Sequence, residues 1–166
     1  MPTVKSTPVS APRSIEVAVE FVRSQDWPFE QEEEDHFHFW IETEQTELTL
    51  DFLWMSDYDV LHFSCGYELK VPPHRAAAVR ELTALINEHS WLGHFDFFAD
   101  DQLLLFRFGL PLPFDILVTQ EQCMALVSAG VNQCTLFHQA FQFVVYGGKS
   151  ARDAFDCALV VTQGSA

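Results

Sequence analysis

Positive charge is what this chain has least of. It carries 9 Lys and Arg against 24 Asp and Glu, a formal net charge of −15, and between Arg23 and Lys70 there is no basic residue of either type. A phosphate backbone attracts the opposite sign of charge, and so does an anionic membrane surface. Neither nucleic acid nor membrane is therefore expected as a partner. No apolar run approaches the roughly 20 residues of a membrane span. Paired cysteines are missing too. Cys65, Cys123, Cys134 and Cys157 stand apart with no C-x-x-C pair, which leaves neither a zinc knuckle nor a redox dithiol. Isolated thiols among apolar neighbours serve as small buried hydrophobes.

Catalytic signatures are equally scarce. The chain has no G-x-S-x-G elbow, no H-E-x-x-H and no G-x-G-x-x-G. Gly148-Lys149-Ser150 has the tail of a phosphate loop, but position 143, where the first glycine belongs, is Phe143. The segment before it has helical spacing, whereas a phosphate loop follows a strand, so a helix end followed by a helix start explains it better. The acid pairs Asp100-Asp101 and Asp57-Tyr58-Asp59 fall where turns belong. Residues 1–13 lack the apolar stretch of a signal peptide. These absences predict a non-enzymatic protein without a cofactor, in a reducing cytoplasm.

What is present is a large apolar load, 48% of residues with 16 Phe, enough for one sizeable core. The first thirteen residues, rich in Pro, Ser and Thr, are expected to be a flexible N-terminal tail, and residues 14–166 a single domain. Ile15, Ala18, Val19 and Val22 share one helical face. The acid-rich Glu30–Asp35 predicts a solvated turn or a strand edge. Three strands follow, in which Phe37, Phe39 and Ile41, then Leu48, Leu50, Phe52 and Trp54, then Leu61, Phe63, Cys65 and Tyr67 alternate with mostly polar neighbours. One apolar face at a period of two predicts an antiparallel sheet lying on helices.

Pro72-Pro73 announces a helix with Leu82, Leu85 and Ile86 inward and Arg75, Arg80, Glu81 and Glu88 on the wet side. Gly93 is expected near its end. A second hairpin pairs His94–Phe98 with Leu103–Leu110. Thr119–Gln122 predicts a capping box and a long helix ended by Gly147-Gly148, and Ser150–Asp153 opens a last one. The order is α-βββ-α-ββ-α-α, an α+β domain.

The strand Leu103–Leu110 is apolar on both faces and should be covered on both. Trp91, His94, Leu104, Phe106 and Phe108 are therefore the candidate interface residues, and a partner subunit, an unidentified protein partner or a ligand is the expected cover. His36 and His38 share a strand face with His62 nearby, which could begin a metal site, although structural histidines on a solvent-facing strand explain them better. His89 and His94 flank Trp91, where packing roles are the plainer reading.

LINEHSWLGHFDFF, LLLFRFGL and AFQFVVYGGKSARDA together resemble the YbjN family of bacterial sensory transduction regulators, over about Ser14 to Ala166. Asn87-Glu88, Trp91–Asp96, Phe106-Arg107, Phe141–Phe143 and Gly147–Ser150 carry the resemblance. It implies a fold similar to type III secretion chaperones, small acidic proteins that commonly work as dimers, with no catalytic residues and no cofactor. Thr135–Gln139 departs from the family pattern, in which a charged and aromatic segment ends in proline. The expected function is a regulatory or chaperone-like protein-interaction domain acting as a homodimer. A small-ligand or metal-binding sensor is the alternative.

Overall fold

A computed structural model of the chain describes residues 11–113 and 116–163, with side chains described for residues within 14–160. Six strands form one sheet: β1 (Phe29–Glu33), β2 (His36–Glu42), β3 (Glu47–Met55), β4 (Val60–Glu68), β5 (His94–Phe98) and β6 (Leu103–Pro111). Their order is β1-β2-β3-β4-β6-β5 and each neighbouring pair is antiparallel. The helices are α1 (Ala11–Ser24), α2 (Ala76–Asn87, entered through a 3-10 turn at Pro73–Arg75), α3 (Gln120–Val145) and α4 (Ala151–Gln163). The domain is α+β, as expected.

The alternation seen in the sequence becomes rows of side chains across the sheet. Register aligns Phe37, Phe52, Phe63 and Phe108 in one row and Phe39, Leu50, Cys65, Phe106 and Phe95 in the next. Both rows face the helices, and all but Phe108 are buried. The aromatic rings interlock, with Phe39 stacked on Phe52 at 5.9 Å and Phe95 edge-on to Phe106 at 5.6 Å. Such pairs add to what burial alone contributes. From α1, Ile15, Ala18, Val19 and Val22 close the core as their spacing predicted.

Long helix α3 crosses β4 at Gly130. A Cβ there would sit 2.8 Å from Cys65 Cβ and 2.8 Å from the Phe63 ring. Only the missing side chain allows the helix so close. At its N-terminus the capping box forms in full: Thr119 Oγ1 accepts from Gln122 N, and Gln122 Oε1 accepts from Thr119 N. At the other end Gly148 takes φ +65, where a glycine is at ease.

Four features differ from the sequence reading. The strand β1 precedes the three expected ones, so the order is α-ββββ-α-ββ-α-α. Its acids at Glu30, Glu32 and Glu33 are exposed on the sheet margin, where charge discourages edge-to-edge pairing. Helix α1 begins at Ala11, inside the span expected to be tail; residues 1–10 lie outside the described residues. The helix α2 stops at Asn87, and Gly93 (φ +73) instead turns the chain into β5 against the Phe106 ring.

Arg75 is the fourth. Expected on the wet side, it reaches across to α3, donating from Nε to the Val144 carbonyl at 2.7 Å and from Nη2 to the Lys149 carbonyl at 2.6 Å. The final carbonyls of a helix lack intrahelical partners. A planar guanidinium can serve two of this region at once.

Candidate interaction site

The face of the sheet turned away from the helices is open. Register places His38, Asp51, Ser64, Arg107 and His94 in one row across it, flanked by His36, Leu53 and His62 on one side and Trp40, Thr49, Gly66, Leu105 and Asp96 on the other. Polar groups here are tied to one another. His36 Nε2 lies 3.0 Å from Asp51 Oδ1 and its Nδ1 lies 3.3 Å from Glu32 Oε2. The His38 ring sits between Glu32 at 3.4 Å and Glu30 at 3.8 Å. Ser64 Oγ donates to Asp51 Oδ2 at 3.4 Å. Asp96 Oδ2 is shared by His94 Nε2 at 3.3 Å and Arg107 Nε at 3.4 Å. Half-exposed pairs of this sort contribute little stability each; their effect is to orient the rings.

His62 lies among them with its pKa below 6.5. Burial is the main cause, and the Arg107 cation adds to it while the Asp51 carboxylate opposes it. The three histidines considered as metal ligands do not converge. His36 and His62 stand on β2 and β4 with Leu53 of β3 between them, two strand spacings or about 9.6 Å apart. Among the described residues no group of three or more His, Cys, Asp or Glu is placed to hold a metal ion. His89, in turn, packs on Phe155 at 5.1 Å and contacts the Leu85 carbonyl at 3.0 Å.

The five candidate interface residues separate by face. Trp91 is wholly exposed, at 101% of its reference area, on the loop that enters β5. His94 is exposed on the open face. Leu104 and Phe106, by contrast, are buried at 0% and 1%. They are core residues beneath the helices and offer no surface, which corrects the expectation for both. Phe108 faces the same way and is half-buried. The reason is the period of two: in β6 the even positions turn inward, and the odd ones, Leu103 and Leu105, turn outward.

Leu103 and Leu105 are half-buried and lie beside Phe98 and Asp96 of β5. These outward apolar residues are not among the five expected interface positions. The signal for them was already there, in the apolar set at the second face of the strand. With Phe98 they form an apolar stretch at one end of the hairpin, while Trp91 stands beyond its other end, past the His94–Arg107 pair.

An acidic α+β domain with helices on one face of a six-stranded antiparallel sheet and the other face open is the class of fold this chain defines. The fold is like that of type III secretion chaperones. A family model described as YbjN, "Putative bacterial sensory transduction regulator", matches residues 14–143, and the chain belongs to the YbjN family. The match ends at Phe143, so the Gly147–Ser150 text counted towards the resemblance lies beyond it. No curated protein matches the chain. Among solved structures, "Crystal Structure of the ExsC-ExsE Complex" is similar, with a TM-score of 0.54 at 13% identity, covering 75% of this chain and 92% of that one. At that identity the likeness is one of fold. Among the described residues no helix is long and apolar enough to cross a membrane.

Proposed function

We infer that this protein is a non-enzymatic regulatory or chaperone-like interaction domain that works in the cytoplasm as a homodimer. The observation that carries this reading is the fully exposed Trp91 on the loop into β5; the outward apolar residues Phe98, Leu103 and Leu105 stand further along the same hairpin. Tryptophan anchors are strongly enriched among residues that dominate binding energy, and an exposed apolar margin with a charged surround is how soluble proteins mark an interface. Membership of a family of transduction regulators and a fold shared with one partner of a two-protein complex support the same reading. The absence of recognisable catalytic motifs from the sequence is in keeping with it.

The interface in this reading comprises Trp91, His94 and the outer side of β5 and β6. Sedimentation equilibrium tests it. The wild-type chain is expected at twice the monomer mass, and Trp91→Ala and Leu105→Glu are expected to shift the population to monomer with the fold intact. A strictly monomeric wild type at high micromolar concentration would refute the homodimer. Dimers equally stable in both variants would place the interface elsewhere.

A further inference from the structure

A groove of about 790 Å³ runs between α3 and α4, apart from the open sheet face. Small residues make room for it: Ala140 of α3 and Ala154 and Ala158 of α4 line it and are buried. Leu136 and Phe143 flank them on α3, and Cys157 and Val160 on α4. Val160 is 70% exposed, so the apolar lining runs out to solvent. Leu136, Ala140 and Phe143 follow one another at i, i+4 and i+7, which spreads the lining over about 10.5 Å of α3 at 1.5 Å per residue. A docked amphipathic helix presents its own apolar anchors at this same spacing.

The charged residue in the lining is Asp156. It is exposed, and none of the ion pairs among the described residues includes it. Arg152, exposed one turn earlier on α4, leaves it unpaired. The Lys149 ammonium is turned elsewhere, onto the Phe143 ring at 5.1 Å and towards Cys157 Sγ at 3.8 Å. Gln45 brings the β2–β3 hairpin to the groove, and the residue before it is the exposed Glu44. The wider field has the same sign, with a formal net charge of −15. A partner that seats an apolar stripe here meets a carboxylate at the rim, and complementarity requires it to carry positive charge.

We propose that the α3–α4 groove takes a basic amphipathic helix of a partner protein, its apolar stripe along the groove and a Lys or Arg beside Asp156. Burial of the apolar anchors supplies most of the affinity, and the rim charge selects the sign of the partner and quickens its encounter. The site goes beyond the homodimer reading and uses none of its residues. Its α4 side, from Ala151 onward, also lies outside the residues matched by the family model.

The probe is a fluorescein-labelled helical peptide of Leu and Lys with Leu at i, i+4 and i+7. One control peptide replaces each Lys by Glu, and another scrambles the Leu/Lys order. Fluorescence anisotropy reads binding, and the rate of Cys157 alkylation by iodoacetamide, followed by mass spectrometry, reports its place. Cys157 is the half-buried thiol of the four and lines the groove; the other three are buried, and burial pushes Cys123 up to about 12.

Saturable binding of the Leu/Lys helix is expected, with several-fold slowing at Cys157 and much weaker binding of both controls. Asp156→Asn should weaken the Leu/Lys helix by about two- to five-fold, the scale of one exposed ion pair. Asp156→Lys should weaken it further and narrow the preference over the Glu peptide. Asp57→Lys makes the same change of net charge on the β3–β4 turn and should have little effect.

No binding of the Leu/Lys helix overturns the proposal. So does equal binding of either control, or an Asp57→Lys effect as large as that of Asp156→Lys. Dodecylamine that protects Cys157 as fully as the peptide would make the occupant a small lipophilic cation and overturn the helix. Circular dichroism checks each variant for folding, and should one unfold, the three-peptide comparison on the wild type decides the matter alone. A monomeric wild type would refute the homodimer and leave this test unaffected.

Discussion

Asn87 is bonded twice to the backbone of Phe95. Its Nδ2 donates to the Phe95 carbonyl at 2.9 Å, and its Oδ1 accepts from the Phe95 N–H at 2.8 Å. The amide of one side chain therefore does at the margin of β5 what a further strand would do, satisfying both groups of one residue. It also fixes where the last residue of α2 meets the sheet. Between the two, Ser90 Oγ donates to the Gly93 carbonyl at 2.9 Å, which closes the loop and leaves Trp91 pointing into solvent.

Asn87→Ala leaves that pair of backbone groups without their partner. A loss of about 1–3 kcal/mol is expected, the range for stranding a partly buried polar group. Urea unfolding measures it, and hydrogen exchange at the Phe95 amide should quicken by more than the global loss explains. Asn87→Asp keeps the acceptor but loses the donor, so its exchange effect at Phe95 should be smaller.

Gly130→Ala sets two effects against each other. Alanine favours a helix interior over glycine by about 1 kcal/mol, but the new methyl would sit 2.8 Å from Cys65 Cβ. That neighbour is fixed to a central strand and cannot swing aside. Overpacking of this kind is worth about 1–3 kcal/mol, so the melting temperature should fall despite the better propensity. A rise in melting temperature would show that α3 can lift off β4 at little expense.

Arg75→Ala removes both donors that reach the Val144 and Lys149 carbonyls. Hydrogen bonds to charged groups are worth about 1.5–3 kcal/mol each, and a net destabilisation in that range is expected because the freed carbonyls regain some water. Arg75→Lys should recover little, since a point charge lacks the fork that bridges two acceptors. Chemical denaturation of the three proteins side by side checks the ranking.

Acid should weaken the fold through His62 and His138. Burial lowers both below 6.5, with Arg107 assisting at His62. The unfolded chain then binds these protons more tightly than the folded one, so stability is full above pH 6.5 and declines as pH falls towards the folded values, below which it levels off. Thermal melts between pH 8 and pH 5 should show the decline. His62→Gln and His138→Gln should each flatten it.

The period-two alternation in β2, β3 and β4 was legible because one face of each strand is buried and the other is not. Phe37 and Phe39, Leu50 and Phe52, and Phe63 and Cys65 had to point together, and the helices had to lie on their side. The capping box at Thr119 and the N-cap at Ser150, whose Oγ accepts from Asp153 N, were equally plain, since a cap is formed by residues within one turn. β1 was harder to place, because four of the residues in Phe29–Glu33 are polar and its strand state depends on pairing with β2.

What the sequence determined by itself was local: the elements, the α+β class, the family text and an acidic composition. Tertiary structure alone decided which of β6's two apolar sets became core, sending Leu104 and Phe106 under the helices and Leu103 and Leu105 outward. It also decided that Arg75 caps a helix 69 residues away at Val144. Period and spacing describe a chain's neighbours along its length. Which of two equally apolar faces is covered, and what a long side chain finds when it reaches across, depends on elements brought together from far apart in sequence.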